Sequence, residues 1–182
     1  MNKKRISVKD ITIAALLTAL ALSIPMFMPF KITLEPIFSA TFASHVPGIL
    51  SMFVGPFAVI GTAVGSALGF FTTLGPWVAL RAFSHLFFGL VGYRMIEKKW
   101  NIFTVILLTG LLHAAAEMVV GIISILVSGI PAGGVFKTLV VTIGCGTFIH
   151  HCIDFAISLV IFYALKSARL LSTSVNFKSF KG

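Results

Sequence analysis

Six apolar stretches dominate this chain, running approximately Ile11–Met28, Val46–Val54, Phe57–Phe71, Trp77–Met95, Ile102–Val127 and Thr138–Leu165. A helix needs about 20 apolar residues to cross the ~30 Å hydrocarbon layer of a bilayer. The 182 residues therefore fit about six crossings and leave no room for a separate soluble domain. Charge supports this reading: only 10% of the residues are Asp, Glu, Lys or Arg, against about 25% in ordinary soluble domains. Such a chain cannot cover a core with a water-facing surface. High apolarity excludes a disordered chain for the same reason. The sequence predicts an all-α integral membrane protein, a bundle of six transmembrane helices.

The distribution of cations orients the bundle. With both termini in the cytoplasm, the inner segments hold Lys3, Lys4, Arg5, Lys9, Arg94, Lys98, Lys99, Lys166, Arg169, Lys178 and Lys181, eleven of the 14 Lys and Arg residues. The outer loops would carry only Lys31 and Lys137, which satisfies the positive-inside rule. Five crossings would put the termini on opposite sides and break it. The expected organisation is a basic cytoplasmic N-terminus (1–10), one membrane domain (11–165) with a long outer loop at about 29–45, and a basic cytoplasmic tail (166–182) drawn to anionic headgroups. The first stretch imitates a secretory signal, but its length and the spans after it make a retained helix the simpler account. Gly55-Pro56 reads equally as a hairpin or a kink, because Pro removes a helix donor and clashes with the preceding turn.

Several chemistries find no motif. There is no CxxC, GxxxxGK[ST] or HExxH, so the sequence carries no thiol-redox pair, nucleotide loop or zincin site of its own, and no feature calls for nucleic acid or a bound cofactor. The chain does not read as an enzyme. Cys145 and Cys152 are seven apart, about 10.5 Å along a helix, too far for a disulfide, and read as small core residues. Ala15-x3-Ala19 on the first span and Gly61-x3-Gly65-x3-Gly69 on the third place small side chains on one helical face, for internal packing or for a membrane partner.

Ionisable residues inside spans are costly and mark function by default. Arg81 and His85, His113 and Glu117, and His150 and Asp154 each lie four apart, a spacing that stacks each pair on one helical face. Gly110, His113, Glu117, Gly121 and Ser124 continue one such face; Thr147, His151, Asp154 and Ser158 continue another. One reading has Arg81 pair with Glu117 or Asp154 simply to hold the bundle. The other has these faces converge on a polar pocket for a small molecule. His, Asp and Glu also suit Zn, Ni or Co, but a fixed cation at Arg81 argues against a metal. The pocket would open outward, since Arg81 lies about one turn below the outer end of its span, beside Trp77 at the level of the aromatic belt. The loop at 29–45, with Lys31, Glu35 and His45, has the length of a lid or binding element.

Taken together, the six spans, the basic termini, Ala15-x3-Ala19, the long first loop and Val54-Gly55-Pro56 before a Gly-rich span resemble an S component of an energy-coupling factor (ECF) vitamin transporter. Met26-Phe27-Met28-Pro29-Phe30-Lys31-Ile32, Ser39-Ala40-Thr41-Phe42-Ala43-Ser44-His45-Val46-Pro47 and Arg81-Ala82-Phe83-Ser84-His85 are similar to its niacin-specific branch. The resemblance implies a binding subunit of a bacterial cell membrane that captures a vitamin outside. It would dock through Ala15 and Ala19 on a transmembrane scaffold served by two cytoplasmic ATPases. For nicotinate, a guanidinium at Arg81 would clamp the carboxylate, His85, His113, Glu117 or Asp154 would meet the ring nitrogen, and Trp77 or Phe83 would stack on the ring; His150 counts among the substrate-binding residues without a set role. Pantothenate, pyridoxine, and a stand-alone carrier relaying protons through His113–Glu117 and His150–Asp154 remain open on the same residues.

Overall fold

The computed structural model describes residues 6–34, 38–129 and 134–171. Helix α1 spans Val8–Phe27, opened by a capping box in which Ser7 and Asp10 exchange side-chain and backbone hydrogen bonds, satisfying two donors that a helix start leaves orphaned. The chain then forms a hairpin, β1 (Lys31–Leu34) against β2 (Phe38–Thr41), with Lys31 opposite Thr41 and Leu34 opposite Phe38. The long loop expected at about 29–45 thus contains a β-hairpin. Glu35 lies outside the described residues.

The second apolar stretch becomes a six-residue helix, α2 (Val46–Ser51), too short to cross a bilayer, continued by turns to Gly55. From there α3 (Pro56–Leu74) begins with Pro in its first turn, where the missing donor costs nothing. Gly75, with φ of 81°, turns α3 into α4 (Pro76–Phe83). The fourth stretch is not one helix: it breaks at Ser84, whose hydroxyl donates to the Arg81 carbonyl at 2.6 Å, before α5 (His85–Glu97). Asn101 caps α6 (Ile102–Ser128) by accepting from the Phe103 amide. The last stretch starts as a π-helix, Lys137–Cys145, wound wider than an α-helix, and continues as α7 (Gly146–Ser167).

Four helical stretches are long and apolar enough to cross a membrane: Val8–Phe27, Pro56–Leu74, Ile102–Ser128 and Lys137–Ser167. The protein is a multi-pass, predominantly helical membrane protein. Its core is lined by Ile49, Met52, Phe88, Val105, Phe155 and Phe162, while Leu16, Phe71, Leu107, Leu126 and Val160 turn outward, the arrangement expected where lipid, not water, surrounds the bundle. Both cysteines are free, and Cys145 is exposed rather than a core residue, because the π-helical segment turns it outward.

The glycine stripe has an internal use. A Cβ at Gly61 would meet Thr18, at Gly65 the Thr18 carbonyl, and at Gly69 the backbone of Leu22. Helices α1 and α3 thus run side by side in the same direction, backbone to backbone. The opposite face of α1, with Ala15 and Ala19, is exposed. At the far end from the hairpin, the Lys9 ammonium donates to the Arg169 carbonyl, so the start of α1 meets the end of α7.

Candidate functional site

All five histidines of the chain come together under the hairpin. The ring of His45 lies 4.7 Å from that of His85, 4.6 Å from His113 and 4.4 Å from His150, centroid to centroid. His113 lies 5.3 Å from His151. Four elements deliver them. His45 caps α2, His85 opens α5 at the Ser84 break, His113 sits midway along α6, and His150 and His151 lie in the second turn of α7.

Two carboxylates organise the cluster. Arg81 donates to Glu117 Oε2 at 2.5 Å, and the Thr147 hydroxyl donates to the same oxygen at 2.5 Å. The other oxygen, Oε1, faces His113 Nε2 at 3.3 Å and His85 Nε2 at 3.6 Å. Of the two partners the sequence left open for Arg81, the structure selects Glu117. Asp154 Oδ2 takes the backbone N–H of His45 at 3.0 Å and also faces His45 Nδ1 at 3.1 Å and His150 Nε2 at 3.2 Å. Arg81, Glu117, His113, His151 and Asp154 are all buried. A charge cannot be placed there without a partner at hand, and among the described buried residues two carboxylates stand against one guanidinium, an excess negative charge if the imidazoles are neutral.

Below this layer, His113 Nδ1 meets His151 Nδ1 at 3.2 Å, and His151 Nε2 meets the Thr109 hydroxyl at 3.1 Å. Phe88, fully buried, packs its ring 4.5 Å from His113 and 5.0 Å from His151. Thr109, Thr147 and Phe88 were not among the site residues expected from sequence. Thr147 and His151 share the polar stripe of the last helix with Asp154, a signal that was present; Thr109 and Phe88 carry none, being indistinguishable in sequence from other core residues.

The hairpin forms the roof. Side chains alternate along a strand, so Ser39 and Thr41 share one face and Ala40 and Phe42 the other. Ser39 joins His45, Arg81, His85 and Glu117 around a small cavity of about 10 Å³. On the far side Ala40, Phe42, Pro29 and Lys31 border an apolar groove of about 620 Å³ that runs along α7 at Ile149, His150 and Ile153. The buried hydroxyls of Ser39 and Thr41 and the His85 Nε2 have no hydrogen-bond partner among the described residues, although buried polar atoms are nearly always paired.

The expected site residues therefore separate. Arg81, His85, His113, Glu117, His150, Asp154 and His45 form one connected set, and Lys31 stands at the rim of the groove. Trp77 is half-buried and borders neither space among the described residues, and Phe83 points outward.

No family model matches the chain, and no solved structure matches it. Among curated proteins it is 36% identical over 168 residues to the niacin transporter NiaX of Lactococcus lactis subsp. cremoris (strain MG1363), covering 86% of this chain and 74% of that protein. With that identity sustained over most of both sequences, the chain belongs to the family of NiaX, the S-component family that its sequence resembles.

Proposed function

We propose that this chain is the niacin-binding S component of an ECF-type importer in a bacterial cytoplasmic membrane, and not an enzyme. The observation that carries the proposal is the buried Arg81–Glu117 pair beneath a hairpin whose inward hydroxyls have no hydrogen-bond partner among the described residues. Nicotinate offers a carboxylate for the Arg81 guanidinium, which binds such groups through two parallel charge-assisted hydrogen bonds. Its pyridine nitrogen suits the imidazoles of His85 and His45, and Ser39 and Thr41 supply further polar contacts. The 36% identity to a protein named as a niacin transporter supports this choice of ligand.

The cavity of about 10 Å³ is too small for a pyridine ring. Binding therefore requires the hairpin to lift, merging the cavity with the adjoining groove at His150. In this reading the roof faces outside and both chain ends face the cytoplasm, in six crossings counted with α2 and its turns as the short second one. The Lys9–Arg169 contact favours it, because two ends that meet lie on the same side. The exposed Ala15 and Ala19 face of α1 is the surface for a transmembrane scaffold subunit, and two cytoplasmic ATPases supply the energy.

Calorimetric titration of the purified solitary protein with nicotinate, nicotinamide, pantothenate and pyridoxine tests the assignment. Near-stoichiometric, submicromolar nicotinate binding, abolished in folded Arg81→Ala protein, is the expected result. Binding of another of the four in place of nicotinate would overturn the ligand, and unchanged binding by Arg81→Ala would overturn the clamp.

A further inference from the structure

We infer that the polar core also forms a site for one divalent transition-metal ion of the Zn2+, Co2+ or Ni2+ class, held by His45, His85, His113 and Glu117. The inference uses residues of the proposed niacin pocket but does not depend on niacin being the ligand.

Each of these four buried residues offers a ligand atom within 4.8 Å of all the others. Bonds of ~2.0–2.1 Å to a tetrahedral zinc place neighbouring ligand atoms ~3.3 Å apart. Two edges about Glu117 Oε1, 3.3 Å to His113 Nε2 and 3.6 Å to His85 Nε2, are already close to that length. A set of imidazoles with one carboxylate is the donor chemistry that this class of ion selects. The His85 Nε2, buried and without a hydrogen-bond partner among the described residues, points at the same oxygen.

Surrounding groups fix the ligands in the way metal sites require, since ligating imidazoles and carboxylates are themselves held by hydrogen bonds. Glu117 Oε2 is held by Arg81 and Thr147, leaving Oε1 for an ion. His113 Nδ1 rests on His151, which rests on Thr109. Asp154 clasps His45 by both backbone and ring. Arg81, the cation that the sequence set against a metal here, pairs with the opposite oxygen of Glu117 and so does not occupy the oxygen offered to the ion. Among the described buried residues, Asp154 and Glu117 against Arg81 leave one negative charge in excess when the imidazoles are neutral, and a cation would offset it. A second grouping, His45, His150 and Asp154, offers only three ligands, and its nitrogens already share Asp154 Oδ2.

The test uses the full chain, purified in detergent with a tag free of histidine and stripped by chelator, titrated with Co2+. Expected are one ion per chain by elemental analysis and the intense visible band of tetrahedral Co2+. Thr147→Val should weaken binding by about 10- to 100-fold, the usual effect of losing a group that holds a ligand, and His113→Gln should weaken it further. Absence of the tetrahedral band in the wild-type protein would overturn the proposal without need of any variant, as would a band and affinity unchanged in folded His113→Gln protein. Parallel titration of chelator-treated protein with nicotinate separates the two readings. Nicotinate binding without Co2+ binding refutes the metal site alone; Co2+ binding without nicotinate binding refutes the niacin assignment alone.

Discussion

Glu117→Gln should destabilise the protein more than Arg81→Met, although each removes one partner of the same contact. Glu117 Oε2 receives both Arg81 and Thr147 at 2.5 Å, and Oε1 has His113 at 3.3 Å. When Arg81 is lost, the carboxyl keeps Thr147 and His113 and can take up a proton. The cost is then that of a weakened hydrogen-bonding environment, about 1–3 kcal/mol. When the charge of Glu117 is lost, the guanidinium is left in the core and cannot be deprotonated. Breaking a buried pair in this way costs about 3–5 kcal/mol. The double variant Arg81→Met/Glu117→Gln removes the stranded charge and should fall within about 1 kcal/mol of Arg81→Met alone, a strongly non-additive cycle. Unfolding in mixed micelles of mild detergent and sodium dodecyl sulfate, followed by circular dichroism, measures all four corners. If the double variant loses the sum of the two single losses, or if Arg81→Met is the more damaging, the pair is not the electrostatic centre of this core.

Thr41→Val exchanges a buried hydroxyl, unpartnered among the described residues, for a methyl group of similar shape. It should raise stability of the free protein by about 1 kcal/mol while weakening nicotinate binding, and lower stability would show that the hydroxyl is paired; unfolding and titration of one preparation read both. Gly65→Leu should cost at least the ~1–3 kcal/mol of overpacking, since even its Cβ would meet the Thr18 backbone, and a well-folded variant at wild-type stability would contradict the close α1–α3 approach. Ala15→Trp with Ala19→Trp places bulk on the exposed face of α1. Uptake in cells should be lost with nicotinate affinity of the solitary protein retained, and unimpaired uptake would remove that face from partner docking.

The helices and the chemistry were legible for different reasons. Apolar runs fix where lipid-compatible helices lie, and i,i+4 spacing correctly stacked His113 on Glu117 and His150 on Asp154, because that spacing is a local property of any helix. The partnership of Arg81 with Glu117 rather than Asp154 was not legible, since it depends on how α4 lies across α6. The break at Ser84 and the π-helical start of the last stretch were also invisible, being tertiary departures within apolar, helix-compatible sequence. The hairpin was missed although it left a trace. Phe30-Lys31-Ile32-Thr33-Leu34 alternates apolar and polar residues between Pro29 and Pro36, a strand-like period of two that the length of the loop obscured. His45 was read as part of a lid, and its descent onto Asp154 depends on the hairpin returning the chain to the bundle.

The hairpin also determines what it costs to open the site. Its cross-strand bonds, and the bond from the Phe42 amide to the Phe30 carbonyl, join the two arms to each other. A roof tied to itself can swing as one flap without breaking its own ladder. Beyond it lies Ala43, held at φ of 61°, a conformation that a residue with a side chain occupies at some expense and can leave as the flap moves. The Ser39 and Thr41 hydroxyls relinquish no hydrogen bond to the described residues on leaving the core and gain water. Among the described residues the roof rests on apolar contact, Ala40 on Ile125 and Ile143, which has no preferred direction, and a ligand that satisfies those hydroxyls would add a polar hold to it.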